Sequence, residues 1–230
     1  MTSDWRVFLY PLGFLSALIF GARFGLQWLQ SELNGKSMVS RTFWILSLVG
    51  NLLLAAHTFI QIQFHVCVVQ TCSAVLAWRN LNLMQTKRPP VAFQTVVFVL
   101  FLTLATTIGA FLFQQSFLSL DQSSWFRVPV VPWQKSPFSH EVPLVWHIVG
   151  FVGYVIFSLR FWVQWLLAET SKESRLPPSF WWLSLSGAFL SNIYFLTIGD
   201  IVNFIGPAIG MFIYARNLML RPQKVVEKAS

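Results

Sequence analysis

Charge is what this sequence has least of. Only 10% of its residues are Asp, Glu, Lys or Arg, with eight acidic side chains in 230 positions; soluble domains carry roughly a quarter. A surface so poor in charge excludes an ordinary soluble domain. Cysteine is nearly absent too. Cys67 and Cys72 stand five residues apart inside one apolar run, on different faces of a helix, which excludes a disulfide framework and reads as apolar filling. His57, His65, His140 and His147 share no ligand spacing, so no metal and no cofactor is expected. There is no G-x-G-x-x-G and no P-loop. The longest stretch between apolar runs, 114–143, has about thirty residues, so any catalysis is expected at the membrane face or in a partner. The net charge of +8 does not indicate nucleic acid, because the basic residues sit in short loops and the tail, without a stripe of interleaved aromatics.

What is abundant is apolar length. Fifty-five per cent of the chain is hydrophobic, in recurrent runs of about 20 residues, the length that crosses a bilayer. The first run, Trp5 to about Leu29, is too long for a signal peptide and carries Arg23 and Gln27, so it is expected in the mature protein. The pattern predicts spans at about 6–30, 42–62, 64–84, 92–113, 144–168, 178–198 and 201–220.

The chain also repeats itself. Arg23-Phe24-x-x-Gln27-Trp28 returns as Arg160-Phe161-x-x-Gln164-Trp165, 137 residues on, and Glu32 returns as Glu169. Phe43-Trp44 matches Phe180-Trp181, Leu46-Ser47-Leu48-x-Gly50 matches Leu183-Ser184-Leu185-x-Gly187, and Arg79-Asn80-Leu81 matches Arg216-Asn217-Leu218. Twenty-two of 72 positions are identical between 13–84 and 150–221, including polar residues that hydrophobicity alone would not preserve. This is a duplication.

Eleven Lys and Arg fall on one side of the spans and three on the other, with Arg23 and Arg160 embedded. The positive-inside rule then puts the N-terminus in the periplasm and the C-terminus in the cytoplasm. A three-span unit ends opposite its start, so the fourth span restores the orientation of the second copy. The expected fold is all-α, a polytopic membrane protein of seven transmembrane helices arranged 3+1+3, with parallel repeats as in SWEET exporters. The domains are a first repeat over 6–84, a linker span and periplasmic interfacial loop over 85–143, a second repeat over 144–221 and a basic cytoplasmic tail over 222–230. Trp125 and Trp133 suggest that the loop rests at the interface.

Arg23 lies about eight residues before the cytoplasmic end of its span, roughly 12 Å deep, with Gln27 one turn on along the same face. Arg160 and Gln164 repeat the pair. A lipid-embedded arginine costs on the order of 3 kcal/mol unless it is paired or snorkels. Two readings are open: the Arg–Gln pairs hold an anionic head group such as a lipid phosphate, or Arg23 and Arg160 snorkel inward or cap carbonyls of neighbouring helices, with Trp28 and Trp165 anchoring the interface. A second stripe, Ser47, Gly50, Asn51, Leu54, Thr58 and Gln61, with Ser184, Gly187, Ser191 and Tyr194, reads either as close helix packing or as a polar wall. In the second reading Ser47, Asn51, Ser184, Ser191 and Asn203 line a cavity between the units. Gly206-Pro207 should kink the last span, as a hinge or as packing geometry. Asp200 and Asn203 either cap that span or coordinate a cation. Glu32 and Glu169 either pair with basic loop residues or act in acid–base chemistry.

The motifs R-F-x-x-Q-W, F-W-x-L-S-x-x-G and R-N-L resemble the LAB_N family, the lipid A biosynthesis N-terminal domain, found fused to some lipid-A-disaccharide synthases and also alone. Two copies cover about 13–84 and 150–221. The first reads Ala77-Trp78-Arg79-Asn80 where the second reads Tyr214-Ala215-Arg216-Asn217, and it lacks the Gly-Pro, so the second is the closer match. The resemblance implies an inner-membrane protein of Gram-negative type in lipid A or glycolipid biosynthesis, and distant kinship with PQ-loop and SWEET-like bundles. It leaves three functions open: binding, presenting or translocating a glycolipid or lipid carrier for a glycosyltransferase partner; a lipid-A-disaccharide synthase-type activity; or export of a small solute. The expected partner is a membrane lipid or glycolipid, and oligomerisation is left open.

Overall fold

The computed structural model describes residues 6–35, 37, 39–118 and 143–220. Among these the regular structure is entirely helical: α1 (Arg6–Leu9), α2 (Leu12–Asn34), α3 (Arg41–Ile60), α4 (Phe64–Leu83), α5 (Phe93–Leu118), α6 (Leu144–Ser171), α7 (Pro178–Thr197) and α8 (Ile201–Met219). Five of the seven long helices, α2, α3, α5, α6 and α8, are long and apolar enough to cross a membrane. α4 carries Arg79 and Asn80 and α7 carries Ser184 and Ser191, all packed inside the protein.

Local chemistry sets the boundaries. The run expected as one helix from residue 6 is broken at Tyr10-Pro11, because proline has no N–H to continue the ladder. α2 stops at Gly35, which adopts the left-handed conformation with φ 62°, and α6 stops in the same way at Lys172, φ 56°. These positions are 137 apart. The turns after α3 and α7 are also equivalent: Ile62 at φ 60° stands where the second repeat has Gly199 at φ 71°. Only the glycine takes that conformation without steric cost. The Ser40 hydroxyl accepts from Phe43 N at α3, Pro178 occupies the first turn of α7, and Asp200 Oδ1 accepts from Asn203 N at α8. α8 runs through Pro207 as one helix. The Asn192 amide, oriented by its surroundings, donates to the Phe204 carbonyl and accepts from Ala208 N, each at 3.2 Å, splinting the helix around the proline. Trp125, Trp133 and the tail beyond 221 lie outside the described residues.

The principal packings are α2 on α3, α3 on α4, α4 on α6, α6 on α7, α7 on α8 and α8 on α2. Six helices therefore close a ring, and α5 stands outside it against α4. On α5, Phe98, Phe101, Phe113 and Phe117 are exposed. Helix approach is closest where glycine permits it: a Cβ on Gly187 of α7 would lie 2.4 Å from the backbone nitrogen of Phe157 in α6.

Candidate functional site

Polar residues kept in both copies meet one another across the two joints of the ring. At the α4–α6 joint, Arg79 donates from Nε and Nη2 to Glu169 at 2.6 and 2.8 Å, and from Nη1 to Asn82 Oδ1 and the Val91 carbonyl. At the α8–α2 joint, Arg216 clasps Glu32 in the same two-pronged way. Trp165 and Trp28 each donate from the indole to the glutamate one turn on, at 2.9 and 3.0 Å. One turn deeper, the amides of Gln164 and Asn80 exchange hydrogen bonds at 2.8 and 3.1 Å, and those of Gln27 and Asn217 at 2.9 and 3.2 Å. Each repeat thus lends its Gln and Glu to the other's Asn and Arg, the pattern of a two-fold exchange. Gln63 and Asp200, equivalent positions themselves, touch at 2.8 Å, so the axis of exchange passes between them.

These contacts assign the motif residues. Gln27 and Gln164, expected beside the arginines on a ligand, are hydrogen-bonded to asparagines of the opposite repeat. Glu32 and Glu169 are held by arginines rather than left free for proton transfer, Glu169 also taking Lys172 at 3.3 Å. Ser47 and Ser184 give their hydroxyls to the Phe43 and Phe180 carbonyls of their own helices and stand off the central space.

The remaining predicted residues converge. Inside the ring is a cavity of about 60 Å³ whose lining includes Arg23, Arg160, Asn51, Ser191, Asn203, Gly206 and Pro207. At 10–15 Å³ per water it holds on the order of five water molecules or a compact polar group. Arg23 and Arg160 are only 2% and 4% exposed. Both lie against the ring of Phe161, their Cζ atoms 5.8 and 4.7 Å from its centroid, so two positive groups share the axis. Aromatic faces stabilise them: Phe24 and Phe20 lie 4.2 and 4.7 Å from Arg23, and Phe157 lies 3.3 Å from Arg160. Their hydrogen bonds are few. Arg23 Nη1 donates to Ser47 Oγ at 3.0 Å and Arg160 Nη1 to the Tyr214 hydroxyl at 3.4 Å. Both Nε groups have no acceptor, and neither arginine forms an ion pair among the described residues. A guanidinium has five donors, so most are unspent.

The cavity also holds residues that sequence reasoning did not single out for it: Tyr154, whose hydroxyl accepts from Gln70 at 3.0 Å, and Ser73, Ser158 and Tyr214. Tyr154 and Tyr214 face Ala17 and Ala77 at the equivalent positions, so duplication gave no signal for them. At one end, Asp200 is fully buried and accepts from Gln63, from the Asn203 amide at 2.7 Å and from Asn203 N. Burial pushes its carboxyl above the usual carboxylate range, with the hydrogen bonds opposing. Among the described residues there is no group of His, Cys, Asp and Glu that would hold a metal ion.

The family pattern described as the Lipid A Biosynthesis N-terminal domain matches residues 12–82 and again 149–219. Curated proteins named lipid-A-disaccharide synthase are similar: that of Chlamydia felis is 35% identical over 217 residues, and that of Chlamydia abortus is 34% identical over the same length. Each alignment takes in 92% of this chain and 33% of the relative. The Chlamydia muridarum protein is 33% identical over 225 residues, 96% of this chain and 35% of its own length. The chain therefore spans about a third of the length of these relatives. No solved structure matches it. With both repeats matched end to end, the chain belongs to the Lipid A Biosynthesis N-terminal domain family, LAB_N, and carries the domain twice.

Proposed function

We propose that this protein is a seven-span inner-membrane component of lipid A or glycolipid biosynthesis. In this reading it binds the anionic head group of a glycolipid or lipid carrier in the ring cavity, and presents or translocates it for a glycosyltransferase. The ring of α2–α4 and α6–α8 is the pair of parallel repeats in the 3+1+3 arrangement, with α5 as the span that restores orientation. The N-terminus is periplasmic and the C-terminus cytoplasmic, following the bias of Lys and Arg.

One observation carries the reading. Arg23 and Arg160 are buried together against the Phe161 ring, with no carboxylate paired to them among the described residues and with Nε donors unmet. Two like charges out of water are unfavourable unless something anionic joins them. A phosphate fits: compact, doubly charged, and matched to guanidinium donors. Asn51, Ser191 and Asn203 offer further hydrogen bonds around it, and Gly206-Pro207 in the cavity wall is the proposed hinge. The relatives' printed name supports a link to disaccharide formation. The glutamates required for acid–base catalysis by this chain itself are committed to arginines, which favours a carrier working beside a transferase.

Native mass spectrometry of protein released gently from membranes tests this. The expected result is a retained phosphorylated lipid, with one fewer per chain in Arg160→Leu while the fold stays intact. Retention unchanged in that variant, or no anionic lipid in the wild type, refutes the reading. Saturable sugar uptake into vesicles, without lipid binding, would instead indicate small-solute export.

A further inference from the structure

The two repeats treat their equivalent tryptophans differently. In one half the ring is sealed. Trp44 donates from Nε1 to Ser174 Oγ at 2.8 Å, and that hydroxyl donates in turn to Asn80 Oδ1 at 2.7 Å. The equivalent trio in the other half is Trp181, Ser37 and Asn217, each 137 residues away with identical side chains. There the seal is not made. Trp181 is 1% exposed, yet its Nε1 has no acceptor, and the Ser37 hydroxyl is buried without a partner. An indole N–H only donates, and leaving it unmet inside a protein is unfavourable.

Ser37, Trp181 and Asn217 also border a pocket of about 790 Å³, within the range of small-molecule sites. Lys172 and Arg175 are among its other lining residues, and Leu176 and Leu218 give it an apolar flank. Lys172 is exposed and uses one contact, to Glu169, while Arg175 is paired with Glu173. The pocket shares no lining residue with the ring cavity.

We infer that this pocket is a second binding site, for a phosphomonoester. One phosphate oxygen accepts from Trp181 Nε1 and another from the Ser37 hydroxyl, supplying the acceptors that Ser174 and Asn80 supply in the sealed half. The negative charge faces Lys172, and the esterified group lies along Leu176 and Leu218. Both a phosphorylated lipid and a soluble sugar phosphate offer this chemistry. The site does not depend on the ring cavity, so an Arg160→Leu protein that has lost its lipid keeps it.

The indole N–H resonance of Trp181 reports directly on the proposed contact. Full-length protein in nanodiscs, labelled with 15N-tryptophan, is titrated separately with dioctanoyl phosphatidic acid, glucosamine 1-phosphate and inorganic phosphate. The proposal expects the Trp181 proton to move downfield and saturate with at least one of the two esters, while Trp44 stays in place; the ester that acts identifies the source. Ser37→Ala should weaken that titration about ten-fold and Lys172→Gln should weaken it as well. Trp181→Phe serves for assignment, and the two milder variants carry the test if it fails to fold. An unmoved Trp181 resonance with both esters overturns the site. So does a response to inorganic phosphate alone, or equal movement of Trp44.

Discussion

Replacing Glu169 by alanine leaves Arg79 inside the protein with its bidentate partner gone. The Arg79 side chain is 1% exposed and that of Glu169 9%. Its other bonds, to Asn82 and the Val91 carbonyl, bring no negative charge. Removing one member of a buried, hydrogen-bonded pair costs about 3–5 kcal/mol. At roughly 2–4 °C per kcal/mol for a chain of this size, the melting temperature should fall by about 6–20 °C. Glu32→Ala removes the equivalent carboxylate of the other repeat, but there Arg216 and Glu32 are 41% and 29% exposed and water takes over the vacated contacts. Its effect should be a small fraction of the first. The assay is thermal unfolding in one detergent, both variants side by side, repeated at high salt. Salt should erase what remains of the Glu32 effect and leave most of the Glu169 effect. Equal losses in the two variants would refute the argument that burial, rather than motif identity, sets the value of each clasp.

Gly187→Ala would drive a methyl group into the Phe157 backbone and should destabilise by on the order of 3 kcal/mol. Gly50→Ala meets only the Phe20 ring edge, which can rotate, so unfolding measurements should show a smaller loss there. Asp200 has a folded-state pKa raised by burial, so its contribution to stability is fullest below the ordinary carboxylate range and is lost as pH rises through the folded value. Asp200→Asn keeps a cap acceptor for Asn203 N and should flatten that segment of the stability–pH profile, without destabilising the protein at pH 8. A steeper profile in the variant would contradict the assignment.

The helices and the duplication were legible because they rest on patterns the chain carries locally: apolar length, and side chains repeated at one offset. Arg23 and Arg160 could be picked out because arginine inside an apolar run is costly wherever it points. Their glutamines could not be placed. Gln27 and Asn217 are 190 residues apart, and only the closed ring brings them together. The signal was nonetheless present: Gln, Glu, Arg and Asn all recur in both copies, and reciprocal pairing is the economical way to satisfy four buried polar types twice. The break at Pro11 is masked in the sequence because the apolar run continues across it. Asymmetry was least accessible. Trp44 and Trp181 sit in equivalent sequence contexts, and only the packing leaves one indole bonded and the other unmet.

Whether the two embedded arginines act on one ligand is decided by their coupling. Binding of dioctanoyl phosphatidic acid should be measured by calorimetry on wild type, Arg23→Gln, Arg160→Gln and the double variant, each carrying Trp181→Phe and Ser37→Ala to silence the second pocket. A single shared phosphate predicts that either substitution alone abolishes most of the affinity and that the double variant loses little more. Losses that simply add, or affinity preserved when both arginines are gone, would contradict a common anion site on the axis.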